Sequence, residues 1–165
     1  MKKKQNLFLI GPMGSGKSSV GRELSIHLNK DFLDSDQVIE QRTGVEISYI
    51  FEKEGEEGFR RRENTVIDEL TKLESVIVAT GGGAVIDPIN RQRLSHRGRV
   101  IFLNASINTQ LMRTHRDKNR PLLNGKDKRV ILHELMDARE NFYREIANIV
   151  VETDDRHVSE VAKEV

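Results

Sequence analysis

The sequence predicts a three-layer α/β fold: a parallel sheet with helices on both faces. Three observations lead there. Short apolar runs of strand length recur along the chain, segments with helical spacing separate them, and a glycine-rich loop sits between the first run and the first helix.

The clear runs are Leu7–Ile10, Val76–Ala79, 100–103 and 149–151, rich in β-branched and large apolar residues, as strands buried on both faces require. A weaker run, Phe32-Leu33, ends in Asp34. Helical spacing covers Lys17–Leu28, where Val20, Leu24 and Leu28 fall four apart, and residues 57–73, 108–113 and 130–146. No composition shift or repeat divides the 165 residues, so one domain over residues 1–165 is expected.

Bulk composition excludes several classes. Twenty-seven basic and 26 acidic residues leave a net charge of +1, a poor match for a general nucleic-acid or membrane-surface binder. The absence of cysteine excludes disulfides and thiolate metal sites. No apolar run approaches the roughly 20 residues of a membrane span, and Leu7–Ile10 is too short for a signal-peptide core. A cytoplasmic protein is expected, and a monomer, since no long exposed apolar helix argues for a dimer.

The loop reads Gly11-Pro12-Met13-Gly14-Ser15-Gly16-Lys17-Ser18, the Walker A pattern in the strand-to-helix context it requires. Its glycines allow positive φ and let N–H groups converge on phosphate oxygens, and the following helix points its positive end at the same anion. Lys17 reaches the β- and γ-phosphates as a point charge, and the Ser18 hydroxyl suits Mg²⁺. ATP with Mg²⁺ is the expected pair. Ser19 stands where a dinucleotide fingerprint needs glycine, which disfavours that cofactor. No Asp has Gly three residues on, and Asn29-Lys30-Asp31 lacks the spacer of a GTPase motif, so a nucleotide switch fits poorly.

The third strand ends in Thr80-Gly81-Gly82-Gly83 rather than a Walker B carboxylate. The carboxylates lie instead in Asp34-Ser35-Asp36, and parallel strands present all these ends on one ligand-binding edge. Asp34 suits a divalent cation, directly or through water. Asp36 can accept a hydrogen bond from a substrate hydroxyl. Either carboxylate can also cap the helix that starts near Gln37. The triple glycine reads as backbone brought close to a ligand, with the Gly82 N–H placed to donate to an anion.

Successive helical residues turn by about 100°, so at most two of Arg60-Arg61-Arg62 face the site. Residues 113–129 hold seven basic and two acidic side chains, with Pro121 and Gly125 as breakers. That segment is expected to form a mobile lid, approximately 115–127.

These residues together resemble a shikimate kinase, within the nucleoside-monophosphate-kinase-like group of phosphate-loop folds. The carriers are the phosphate loop, Asp34-Ser35-Asp36, residues 39–44, Gly58-Phe59-Arg60-Arg61-Arg62-Glu63, the glycine run, Asn119-Arg120-Pro121-Leu122-Leu123, and Ala138-Arg139 with Tyr143. The resemblance implies a strand order of 2-3-1-4-5 and ATP-dependent phosphorylation of the 3-hydroxyl of shikimate, in the pathway to aromatic amino acids. It implies catalytic roles for Lys17, Asp36 and Arg120, the last as the lid arginine over the phosphates. Asp36, Arg60, Gly82 and Arg139 match substrate-holding positions, and Glu63 matches a buried acid that buttresses the arginines. Gly14, Ser15, Gly16, Lys17, Ser18, Ser19, Arg113, Arg120 and Arg156 match nucleotide-binding positions, with Arg113 and Arg156 near the adenine. Ser18 and Asp34 match the Mg²⁺ environment. Many relatives carry proline where this chain has Asn141. The competing readings are another small-molecule kinase, for gluconate or a nucleoside monophosphate, and a nucleotide-dependent regulator without transfer chemistry.

Overall fold

In the computed structural model, residues 4–115, 121–123 and 127–165 are described. Five strands, β1 (Leu7–Ile10), β2 (Asp31–Asp34), β3 (Val76–Ala79), β4 (Arg99–Asn104) and β5 (Ile149–Glu152), form one sheet. Their order is β2-β3-β1-β4-β5 and every pairing is parallel. The expected order and fold class are both found. Arg120 and most of the segment expected to form a lid lie outside the described residues.

Helices α1 (Lys17–Leu28), α2 (Ser35–Thr43), α3 (Ile47–Thr71), α4 (Pro88–Arg97), α5 (Ile107–Thr114), α6 (Lys128–Ile146) and α7 (Val158–Glu164) complete the layers. Among the described residues, none is long and apolar enough to cross a membrane. Alternation along the central strands builds a core on each face. Phe8 and Ile10 of β1 join Val78 and Phe102 against Phe59, Val66, Leu94 and Tyr143. Leu7 and Leu9 join Ile77, Ile101 and Leu103 against Val20, Leu24 and Val161. Both strand faces are therefore dry, as the continuous apolar runs require.

α3 begins at Ile47, ten residues before the periodic stretch in the sequence, and its helical backbone is interrupted at Gly55, where φ is 71° and ψ 178°. Glutamates at 52, 54, 56 and 57 hide the earlier turns, whose buried contributions are only Ile47 and Ile50. α4 has no counterpart among the helical stretches expected from sequence. It buries just Asn90 and Leu94, although Asp87 as cap and Pro88 at its first turn mark its start.

At the base of the sheet, opposite the strand C-termini, one amide gathers several chain segments. Asn6 Nδ2 donates to the Leu73 carbonyl at 2.6 Å and to the Arg97 carbonyl at 3.4 Å, and Asn6 Oδ1 accepts from Val76 N–H at 3.1 Å.

Candidate active site

The C-terminal ends of β1, β2 and β3 open into a cavity of about 530 Å³. Its walls include Lys17, Ser18, Asp34, Asp36, Arg60 and Arg139, so residues far apart in sequence converge as the parallel topology requires.

The phosphate loop forms one side. Gly11, Gly14 and Gly16 have φ of 145°, 78° and 92°. A side chain at Gly11 would also strike the Leu103 carbonyl, 2.2 Å from the ideal Cβ position. Gly16 caps α1 without a side-chain acceptor, which leaves the first-turn N–H groups facing the cavity. Lys17 Nζ lies back over the loop, donating to the Gly11 and Pro12 carbonyls at 2.7 and 2.9 Å. Ser15 is buried beneath the loop, its hydroxyl without a hydrogen-bond partner among the described residues, and Ser19 is exposed at the cavity mouth.

Beside the loop, Asp34 serves two elements. Its Oδ1 accepts from the N–H groups of Asp36 and Gln37 at 3.0 and 3.3 Å and so caps α2. Its Oδ2 accepts from the Ser18 hydroxyl at 2.6 Å. The capping and site readings of this carboxylate both hold. Between the two aspartates, Ser35 is fully buried and its hydroxyl accepts from Gly81 N–H at 3.1 Å. That bond ties the β2–α2 corner to the glycine run and orients the acids on either side.

A methyl group at Gly81 would lie 2.8 Å from Asp36 Oδ1 and 2.9 Å from Glu63 Oε2, and one at Gly83 would lie 2.3 Å from Arg60 Nη2. None of these three glycines has positive φ. The run is needed for close approach of side chains, not for unusual backbone angles.

Arg60 is the one arginine of its triplet on the cavity wall; Arg61 and Arg62 turn outward to Glu57 and Glu54. Arg60 donates to Glu63 at 2.9 Å and to Glu56 at 3.1 Å. Burial works against its cation, yet the charge and hydrogen bond of Glu63, helped by Glu56, hold its pKa above the ordinary value. Burial pushes the Glu63 carboxyl up, and the pull of Arg60 and then Arg139 does not cancel that. Arg139, on α6, is only 4% exposed. Among the described residues it forms no ion pair within 4 Å, Glu63 being bonded to Arg60 instead.

The rim is less concentrated. Arg113 ties Gly14 O at 2.9 Å to Thr153 O at 3.1 Å and borders the cavity. Arg156 is not on the cavity wall; it donates to Glu152 O at 2.9 Å and pairs with Glu164 of α7. The sequence reading missed an apolar wall of Ile47 and Phe51, because the start of α3 was missed with it. Phe51 packs on Phe59, centroids 4.9 Å apart, and an apolar pair at that spacing was the available signal.

Fold and site together define a phosphate-loop kinase: a nucleotide-phosphate cradle facing a pocket for a small anionic acceptor. The profile of the family described as shikimate kinase matches residues 13–165. A Vibrio cholerae shikimate kinase is 51% identical over 165 residues, covering 100% of this chain and 95% of that one. One from Psychromonas ingrahamii is also 51% identical, over 100% of this chain and 96% of that one. The chain belongs to the shikimate kinase family. The solved Acinetobacter baumannii shikimate kinase, in complex with shikimate, superposes with a TM-score of 0.95 at 46% identity, over 97% of this chain and 89% of that one. A Sinorhizobium meliloti gluconokinase shares the fold at a TM-score of 0.63 and 16% identity, over 97% of this chain and 88% of that one.

Proposed function

We propose that this protein transfers the γ-phosphoryl group of ATP to the 3-hydroxyl of shikimate, giving shikimate 3-phosphate and ADP. The observation that carries this reading is Arg139: a buried cation with no ion pair among the described residues, on the wall of the cavity that the phosphate loop borders. A buried charge is costly unless paired, and the carboxylate of a hydroxylated acid supplies the partner.

The loop N–H groups and Lys17 hold the triphosphate, the ammonium exchanging its contacts with loop carbonyls for phosphate oxygens. Ser18 and Asp34 present a hydroxyl and a carboxylate 2.6 Å apart, hard oxygen donors that suit Mg²⁺ with its retained waters. When bound, the ion neutralises charge on the phosphates. Arg139, Arg60 and Gly82 hold the acceptor's carboxylate end. Asp36 accepts the hydrogen bond of the attacking hydroxyl and orients it toward the γ-phosphorus. The oxygen–phosphorus bond to the new ester forms as the bond to the ADP oxygen breaks, and the hydroxyl proton leaves on the Asp36 side. Burial within one cavity lets these groups act mainly by positioning and charge stabilisation. The reading is completed as one catalytic domain spanning residues 1–165.

A coupled ADP-release assay with shikimate, gluconate and nucleoside monophosphates tests the reading. ADP release with shikimate alone is expected. Equal release with gluconate, or nucleotide binding with no acceptor-dependent turnover, overturns it.

A further inference from the structure

Tyr143 lies one helical turn beyond Arg139 on α6, so the two side chains share a face. It is 1% exposed, and its ring stacks on Phe102 with centroids 4.9 Å apart and planes 27° apart. A phenylalanine would fill that space equally well. The hydroxyl is what packing leaves unexplained, and it has a partner. It donates to the Gly82 carbonyl at 2.5 Å. Arg139 and this phenol also line one small pocket together with Pro12 and Met13 of the phosphate loop. Arg139 Nη1 also lies 3.5 Å from where a Cβ on Gly82 would stand. Tyr143 therefore bonds the Gly82 backbone and lies beside the arginine, both assigned to the acceptor's carboxylate end. Burial pushes its pKa up to about 12, Arg139 opposing, so the phenol remains a donor at any working pH.

We propose that Tyr143 is a positioning residue for the acceptor: its hydroxyl sets the spacing and orientation of the Gly82 peptide relative to the Arg139 guanidinium, and so the fit of the acceptor carboxylate between them. The proposal rests on the reading of this cavity as the shikimate site. Gly82 belongs to a run without side chains, so its peptide has nothing of its own to lock it. Arg139 likewise has no carboxylate among the described residues to fix its rotamer. One buried phenol bonds the first and packs beside the second, at a site where small displacements of a positioning group reduce function strongly.

The test is Tyr143→Phe in the full chain, which keeps the stack on Phe102 and deletes the hydrogen bond to the Gly82 carbonyl. The KM for shikimate is expected to rise about tenfold, as for a buried carbonyl left without its donor. The KM for ATP and kcat should stay within about threefold. Phe102→Leu is the packing control: it lowers the melting temperature and leaves the KM for shikimate nearly unchanged. An unchanged KM for shikimate in Tyr143→Phe, or an equal rise in Phe102→Leu, overturns the proposal. Should Tyr143→Phe fail to accumulate, a spectroscopic arm decides. The chain has two tyrosines, so Tyr49→Phe labelled with 3-fluorotyrosine reports Tyr143 alone. Its ¹⁹F resonance should move with shikimate and stay put with the methyl ester of shikimate. No movement with shikimate, or equal movement with the ester, refutes the link. Failure of the unmodified protein to turn over shikimate would sink the parent reading; normal turnover with an indifferent Tyr143→Phe sinks this proposal only.

Discussion

The Ser18 hydroxyl donates to Asp34 Oδ2 across 2.6 Å while the other oxygen of that carboxylate caps α2. Asparagine at 34 keeps the capping oxygen and discards the charge. Asp34→Asn should therefore fold with near-normal stability and need about tenfold more Mg²⁺ for half-maximal rate, the usual range for lost metal support. Initial rates titrated with Mg²⁺ check this, and an unchanged Mg²⁺ requirement would remove Asp34 from the metal environment.

Arg139→Ala deletes the buried cation. Shikimate affinity should fall by roughly 100-fold, within the range of about 2–5 kcal/mol for truncating one side of a buried charge pair. ATP affinity should hold. Calorimetry with each ligand separates the two, and a parallel loss of both would mean general disruption of the site.

Gly82 and Gly83 should respond differently to alanine. A Cβ at Gly83 would stand 2.3 Å from Arg60 Nη2, whereas one at Gly82 has nothing closer than 3.5 Å. Arg60 is a flexible side chain and can swing aside, so Gly83→Ala should keep most of its stability and raise the KM for shikimate by about five- to tenfold. Gly82→Ala should raise it less. Steady-state kinetics on the pair, beside melting curves, gives the comparison; the reverse ranking would contradict the geometry.

Asp68 joins α3 to α4 by accepting from Arg97 at 2.7 Å, with Arg93 at 3.3 Å, and also accepts from Lys72 at the end of its own helix at 3.0 Å. The hydrogen bonds from Arg97 and then Lys72 lower its pKa from 3.8 to about 2. The unfolded chain therefore binds the proton at higher pH than the folded one. The contribution is complete above about pH 4 and is lost as pH falls toward 2. Asp68→Asn should flatten the acid limb of the stability curve in that window. Urea midpoints at about pH 3 and about pH 6 measure it; an equally steep acid limb in the variant would assign acid lability elsewhere.

The parts of the fold legible in the sequence are those with a dense apolar signal. Runs such as Val76–Ala79 are buried on both faces, and their continuous apolar character announces a central strand. β2 is faint because it is the sheet edge: Phe32 and Leu33 are only half-buried. α4 escapes because two buried residues in ten leave almost no period to detect. At the site, the phosphate loop and the paired aspartates are legible because their chemistry depends on local spacing. Which member of Arg60-Arg61-Arg62 turns inward is not, since that depends on helix rotation against the sheet. The rim is hardest: Arg156 ends up against α7 through contacts with Glu152, Glu160 and Glu164 that local sequence does not announce.

Asn6 gives this architecture a mechanical polarity. By holding the carbonyls of Leu73 and Arg97 and the N–H of Val76, it fixes the root of the sheet with contacts made wholly within the protein. The opposite tip leaves backbone donors, the first-turn N–H groups of α1 and the N–H of Gly82, for a ligand to engage. The sheet is thus a cantilever, clamped at one end and loaded at the other. Substrates can press on the loops at the tip, and load the beam, without prying open the joint that keeps the strands in register.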